Sequence, residues 1–371
     1  MNFGLDVRPS LTRPTGVGTY VLGLLDRLPA LAQDDAFYLF SASFRERYGA
    51  RTWPSNVKLV DRRLPVAAVN FGWNRLGWPS LDRLVGASLD LVHSPHPLLI
   101  PARRARRIIT IHDLFFLKHP EMTGAEIRRD YVELVREHAR EADGVLCVSE
   151  FTAREAQTLL GIPAERIGVT PLGVDPDFRE VPPEPRVAAT LHRLRLPRGA
   201  ILYVGSDEKR KNLVSLVMAY LNLAGRRREV PPLVLVGPGS SWAQGGDRVG
   251  PQIRATGYLA RDDVRALMAA SSVLVLPSLE EGFGLPVVEA MAAGLPVVCS
   301  RGSALEEVAG DAATLVDPGD AGALTQAVER LLDDPALAEA SRKRGLERSQ
   351  RFDWQDTARR TIAFYRTVLG R

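Results

Sequence analysis

Residues 272–298 read SVLVLPSLEEGFGLPVVEAMAAGLPVV, and the fold follows from their pattern. The apolar run at 273–277 reads as a buried strand. A loop holding Gly282 and Gly284 comes next, and then Pro286. Proline suits the first turn of a helix, because the first N–H groups there have no intrahelical partner. The segment ending at Val298 reads as a second buried strand. Strand, glycine loop, helix and strand in this order belong to an α/β protein with a parallel sheet. The chemistry lies in Glu281 and Glu289. The free N–H groups and positive dipole of a helix start seat an anion. Small loop residues let a ligand approach the backbone. One carboxylate in the loop and another about a turn into the helix can accept from several hydroxyls. A ligand with both phosphates and hydroxyls is a sugar nucleotide. Two glutamates at this spacing also arise by chance, so the surrounding residues must decide.

The chain has 371 residues, enough for two domains, and its 45% hydrophobic and 25% charged composition is that of a globular protein. No apolar run approaches the roughly 18–20 residues that span a bilayer. The start, MNFGLDVRPS, lacks the basic and apolar regions of a signal peptide. Cys147 and Cys299 sit in apolar runs and read as buried free thiols, with no disulfide framework or metal cluster. These features together predict a cytoplasmic protein. The net charge is +4, with arginine clusters at 103–107, 128–129 and 226–228. They read as a solvated surface or as an attraction for anionic lipid head groups or a phosphorylated acceptor. No nucleic-acid-binding module accompanies them.

Outward from the opening stretch, short apolar runs alternate with helical patterns. Strands are expected at 3–7, 38–41, 57–60, 89–93, 108–112, 145–149 and 167–171, and again at 201–205, 233–237, 253–257, 273–277, 297–300 and 314–316. A helix of about five turns is expected over 125–142. Between the two series, GVDPDFREVPPEPRV is rich in proline and charge and marks a linker at 174–185. That gives domains at 1–173 and 186–353. Asp334 and Pro335 start one helix as N-cap and first helical residue, and a last amphipathic helix runs over 354–369.

The second phosphate-binding element is VGSDEKRKNL at 204–213. Gly205 ends a strand and Ser206 follows it, and Lys209, Arg210 and Lys211 cluster where a helix opens near Asn212. The C-terminal ends of strands are where open α/β sheets bind ligands, and both cation types suit a diphosphate. In DVRPSLTRPTGVGTYVLGLL, Gly16 and Gly18 lead into a helix expected at about Thr19. The loop is too long, and Val21 stands where a dinucleotide fingerprint wants glycine or alanine. His112 ends RRIITIH, where a lone histidine is most often structural. His93, His96 and His119 match no standard metal spacing. Trp73 and Trp78 read first as half-buried packing and second as an interfacial anchor.

Taken together, the stretch at 272–298, VGSDEKRKNL, TGVGTY, TIHDL, VSEFTAREA and VTPLGVD resemble retaining glycosyltransferases of family 4, nearly end to end. The resemblance implies a GT-B fold: two Rossmann-like domains facing each other across a cleft, with the C-terminal helix crossing back to the first. It implies that Gly16 and Gly18 abut the donor diphosphate, that His112 contacts the transferred sugar, and that Tyr258 and Leu259 hold the base. Many relatives carry arginine where this chain has Ser206, so Arg210 and Lys211 become the expected diphosphate ligands. Glu289 is expected on the ribose hydroxyls, and Glu281 with the amides of Gly282, Phe283, Gly284 and Leu285 on the sugar. No metal and no cofactor are expected. The expected donor is a nucleoside-diphosphate sugar, GDP-mannose first and UDP- or dTDP-linked hexoses next, and the expected acceptor a glycan, glycolipid or small molecule, with peripheral association at a membrane as a further expectation. The linker predicts domain closure on donor binding. A GT-B sugar-nucleotide epimerase and a non-catalytic sugar-nucleotide-binding subunit are the alternatives.

Overall fold

Parallel strands buried on both faces are near-continuous apolar runs, and every run expected as a strand is one. The structure, a computed structural model, describes residues 1–11, 16–48, 51–124, 130–237 and 252–371. Thr15, Arg128, Arg129 and the expected helix start at Ala125 lie outside them. The chain divides into two units, Met1–Gly173 with Asp353–Arg371, and Val174–Phe352.

In the first unit, the strands are β1 (Asn2–Asp6), β2 (Ala36–Ala42), β3 (Val57–Arg62), β4 (Leu91–Ser94), β5 (Arg106–Ile111), β6 (Gly144–Cys147) and β7 (Ile167–Val169). They pair in parallel in the order β3-β2-β1-β4-β5-β6-β7. One core packs Ile109, Ile111 and Val145 against the helices Val132–Glu141 and Glu150–Leu160, and a second packs Phe40 and Val92 against Trp73, Leu81 and Val85. The last helix, Trp354–Val368, belongs to this unit. Gly173 is what admits it, since a Cβ there would lie 2.1 Å from the Trp354 nitrogen.

The second unit holds β8 (Ile201–Val204), β9 (Leu233–Val236), β10 (Ile253–Gly257), β11 (Val273–Leu276), β12 (Val297–Ser300) and β13 (Thr314–Val316), all parallel, in the order β10-β9-β8-β11-β12-β13. Chain direction across this sheet reverses between β8 and β11, and such a switch point opens a crevice at the strands' C-terminal ends. Both cysteines are buried in strands. Burial pushes their thiols up, that of Cys299 to about 12.

Two expectations are revised. Residues 174–185 are part of the second unit. Phe178 is buried beneath Arg261, which also pairs with Asp175 at 2.8 Å and Asp177 at 3.1 Å. The helix expected near Thr19 opens earlier and spans Gly16–Leu25, so Gly16 and Gly18 occupy its first turn, with Gly18 buried. The helix lost in Gly16-Val17-Gly18 by glycine's poor propensity is supplied by tertiary packing.

Candidate active site

The loops after β8 and β11 meet at the switch point, joined by their own backbone and by one asparagine. Asn212 adopts a left-handed conformation (φ 56°), which its short polar side chain tolerates. Its Nδ2 donates to the carbonyls of Pro277 (3.0 Å) and Pro318 (2.7 Å). The Leu279 N–H donates to the Arg210 carbonyl at 2.7 Å. Gly237 allows the neighbouring loop to approach, since a Cβ there would fall 1.7 Å from the Gly205 carbonyl oxygen. Gly205 and Ser206 are half-buried, and the Tyr203 hydroxyl donates to the Ser206 carbonyl at 2.6 Å.

This zipper brings Arg210 and Lys211 onto Glu281. Lys211 Nζ donates to Glu281 Oε1 at 2.5 Å, and Arg210 Nη1 donates to Oε2 at 2.9 Å. The Ser278 hydroxyl adds a bond to Oε1 at 2.7 Å. Arg210 Nε reaches Glu208 at 2.9 Å, and Ser206 Oγ donates to the other Glu208 oxygen at 2.7 Å. Burial alone would raise the Glu281 carboxyl, but Lys211 and Arg210 outweigh it and hold the group below the usual carboxylate range. The Glu208 carboxyl is also lowered, with Arg210 outweighing its burial.

Gly284 turns the chain at φ 100° into the helix Leu285–Ala292, with Pro286 in the first turn as expected. A Cβ at Gly284 would meet Leu305 at 2.3 Å. The N–H groups of Phe283, Gly284 and Leu285 donate to no described residue, which leaves a row of donors at the positive helix end beside the two cations. Gly282 is buried in the same turn, and the Phe283 ring anchors the loop edge-on against Phe352 at 5.6 Å. Glu289 is half-buried, and its carboxylate makes no hydrogen bond or ion pair to a described residue. Its carboxyl is pushed up to about 7 by burial and by Asp175, against the opposing pull of Arg261. After Gly257, Tyr258 is exposed and Leu259 is buried.

The first unit carries the remaining expected residues. His112 follows β5 and donates from Nε2 to the Pro95 carbonyl at 2.9 Å, with Tyr20 edge-on at 5.1 Å. Burial lowers its pKa, so the imidazole is neutral and Nδ1 is left as an acceptor. His93 is structural: its ring nitrogens bond the Tyr365 hydroxyl and Thr110 Oγ1, both at 2.7 Å, and burial lowers its pKa to about 3. Sequence reasoning missed Ser278, and also the buried pair in which Arg8 grips Asp6 bidentately, with Arg8 stacked 4.5 Å from Trp73. The D-x-R spacing at residues 6–8 was the available signal. It also gave no role to Glu208, which lies inside the quoted motif.

A family model described as "Glycosyl transferases group 1" matches residues 198–334, and one described as "Glycosyltransferase Family 4" matches residues 14–178. The chain is 32% identical over 376 residues to the O-antigen chain mannosyltransferase B of Escherichia coli, covering 95% of this chain and 96% of that protein. Its fold is similar to that of sucrose-phosphate synthase from Thermosynechococcus elongatus, with a TM-score of 0.80 at 21% identity over 100% of this chain and 99% of that one. It is also similar to HepE of Anabaena in complex with UDP-glucose, with a TM-score of 0.69 at 18% identity over 98% of each chain. With that level of identity held across nearly both lengths, on two parallel-sheet units of the GT-B kind, the chain belongs to the family 4 glycosyltransferases.

Proposed function

We propose that this glycosyltransferase moves a hexosyl group, mannosyl first, from a nucleoside-diphosphate sugar to a glycan or lipid-linked acceptor, with retention and without a metal. The observation that carries the reading is the meeting of Arg210, Lys211 and Glu281 in the loops that also carry the amides of Phe283, Gly284 and Leu285, which donate to no described residue. Two cations and a helix start suit a diphosphate, and stabilising its departing charge is the largest electrostatic task of the transfer. Glu289 accepts from the ribose hydroxyls. Glu281 and the loop amides hold the sugar, Tyr258 and Leu259 flank the base, and His112 meets a sugar hydroxyl. The bond from the anomeric carbon to the diphosphate oxygen breaks while the acceptor hydroxyl attacks the same face. The acceptor proton passes to the departing phosphate. The name of the Escherichia coli relative supports mannose as the sugar, and the UDP-glucose complex of HepE supports the donor class.

The test is thermal stabilisation against GDP, UDP, dTDP, ADP and NAD, since a ligand of the native state raises the melting temperature with its affinity and concentration. A rise with one nucleoside diphosphate supports the donor site and identifies the base. A rise with NAD alone, or with none, overturns the reading. Conversion of the donor sugar without an acceptor would favour the epimerase.

A further inference from the structure

Arg210 and Lys211 are met by two carboxylates, Glu281 and Glu208, and the two are held very differently. Glu281 is fixed from several sides. Its side chain is buried, Ser278 Oγ donates to Oε1 at 2.7 Å, and its backbone carbonyl accepts from Ala304 at 3.2 Å. Glu208 stands at the start of the tight turn Lys209–Lys211, where its carbonyl accepts from the Lys211 N–H at 2.9 Å. Its side chain is 55% exposed. Glu208 Oε2 accepts from Arg210 Nε at 2.9 Å, and Oε1 accepts from Ser206 Oγ at 2.7 Å. Arg210 therefore spans the two acids, with Nε toward Glu208 and Nη1 toward Glu281. A phosphate approaching this guanidinium meets a charge that is already shared.

The two nucleotides of the reaction differ in charge. Above the second ionisation of a phosphate, near pH 6, a nucleoside diphosphate carries about three negative charges. Its sugar ester carries about two, because the terminal oxygen is esterified. A fixed negative charge beside the site therefore repels the departing product more than the incoming donor. Two anions on one guanidinium stand about 6 Å apart, where one unit charge alters affinity by at least about threefold even at the dielectric of water. Burial would raise the Glu208 carboxyl, but Arg210, Ser206 and Lys211 together hold it below the usual carboxylate range, so the charge is present at neutral pH. The other groups gathered there are Asp207, Glu281 from the loop after β11, and Tyr203 of β8, whose hydroxyl burial keeps neutral.

We propose that Glu208 is a specificity-determining residue that sorts donor from product, weakening the hold on the nucleoside diphosphate more than on the sugar nucleotide. The inference rests on the donor-site reading above. The experiment is calorimetric titration of the full chain and its Glu208→Gln variant with GDP and GDP-mannose, and with UDP and UDP-glucose, at pH 8 and pH 5.5. Glutamine keeps an acceptor oxygen for Arg210 and removes the charge. At pH 8 the variant should favour the nucleoside diphosphate over its sugar ester by at least about threefold more than wild type does, and high salt should shrink the difference. At pH 5.5 the terminal phosphate of the product has taken up a proton, and the difference should vanish. Comparing the two ligands on each protein at each pH cancels the titration of Glu289, which both proteins share. Glu208→Asp keeps the charge and should keep the wild-type preference. An equal change for both ligands at pH 8 overturns the proposal, because Glu208 then acts by placing Arg210. A difference that persists at pH 5.5 overturns it too. A wild type that binds none of the four ligands fails the donor-site reading itself, and this inference falls with it.

Discussion

Replacing Glu289 with glutamine should stabilise the second unit while weakening its hold on the nucleotide. The Glu289 carboxyl is raised from an ordinary 4.5 to about 7, first by burial and then by Asp175, because Arg261 is already held by Asp175 and Asp177. A folded-state value above the unfolded one means that folding favours the protonated form. The stability this provides is full below pH 4.5 and is lost as the pH rises to about 7. At 1.36 kcal/mol per pH unit the whole effect is about 3 kcal/mol, and halving it for partial solvent access leaves about 1.5. Glutamine has the same shape and carries no charge, so it escapes the loss. Calorimetry of the second unit's transition should show little difference at pH 5 and a rise of roughly 3–6 °C for the variant at pH 8. Nucleoside-diphosphate affinity at pH 8 should fall by roughly 10- to 100-fold, the worth of hydrogen bonds to a carboxylate. A variant less stable than wild type at pH 8, or a difference independent of pH, refutes the argument.

Lys211→Ala removes the shorter of the two ion pairs on Glu281, so nucleoside-diphosphate affinity and turnover should both fall at least about tenfold; calorimetric titration that finds wild-type affinity removes Lys211 from the site. His112→Ala should lower kcat by more than it raises KM, because the residue is assigned to the sugar and not to the nucleotide. Burial keeps the His112 imidazole neutral, so the wild-type rate should carry no step at the ordinary histidine value between pH 6 and 8.

The strands were legible because a parallel strand covered on both faces needs an unbroken apolar run, and VLVL at 273–276 offers no other reading. The Asp334 cap was legible for a local reason too: its side chain accepts from Ala336 and Leu337, as its position before Pro335 implies. What remained hidden depends on which strands are neighbours. Glu281 finds Arg210 and Lys211 some 70 positions earlier only because β8 lies beside β11, and no local pattern encodes that order. The same holds for Arg261, which draws residues 175–178 into the second unit although their composition is that of a linker. Trp73 and Trp78 share one sequence context, yet Trp73 is buried against Phe40 while Trp78 is exposed with its carbonyl packed on Gly72.

Glu281 poses the opposite case to Glu289, and the two carboxylates can be told apart by one pair of measurements. Lys211 and Arg210 keep Glu281 ionised in spite of its burial, so its stabilising contribution is present above pH 4.5 and is lost as the pH falls through its lowered folded value. Glu281→Gln takes one carboxylate away from two cations, while the exposed Glu208 stays on Arg210. Breaking a fully buried pair costs about 3–5 kcal/mol, and Arg210 and Lys211 are 19% and 14% exposed, so about 2 kcal/mol is the expected loss. A nucleoside diphosphate supplies the missing negative charge. The variant should bind it at least as tightly as wild type and recover more melting temperature on binding, although transfer falls because the contact to the sugar is gone. Glu289→Gln should do the reverse on both counts, being more stable when empty and less responsive to ligand. If Glu281→Gln instead binds the diphosphate more weakly than wild type, Glu281 acts by holding Arg210 and Lys211 in place for the phosphates and does not compete with the ligand for them.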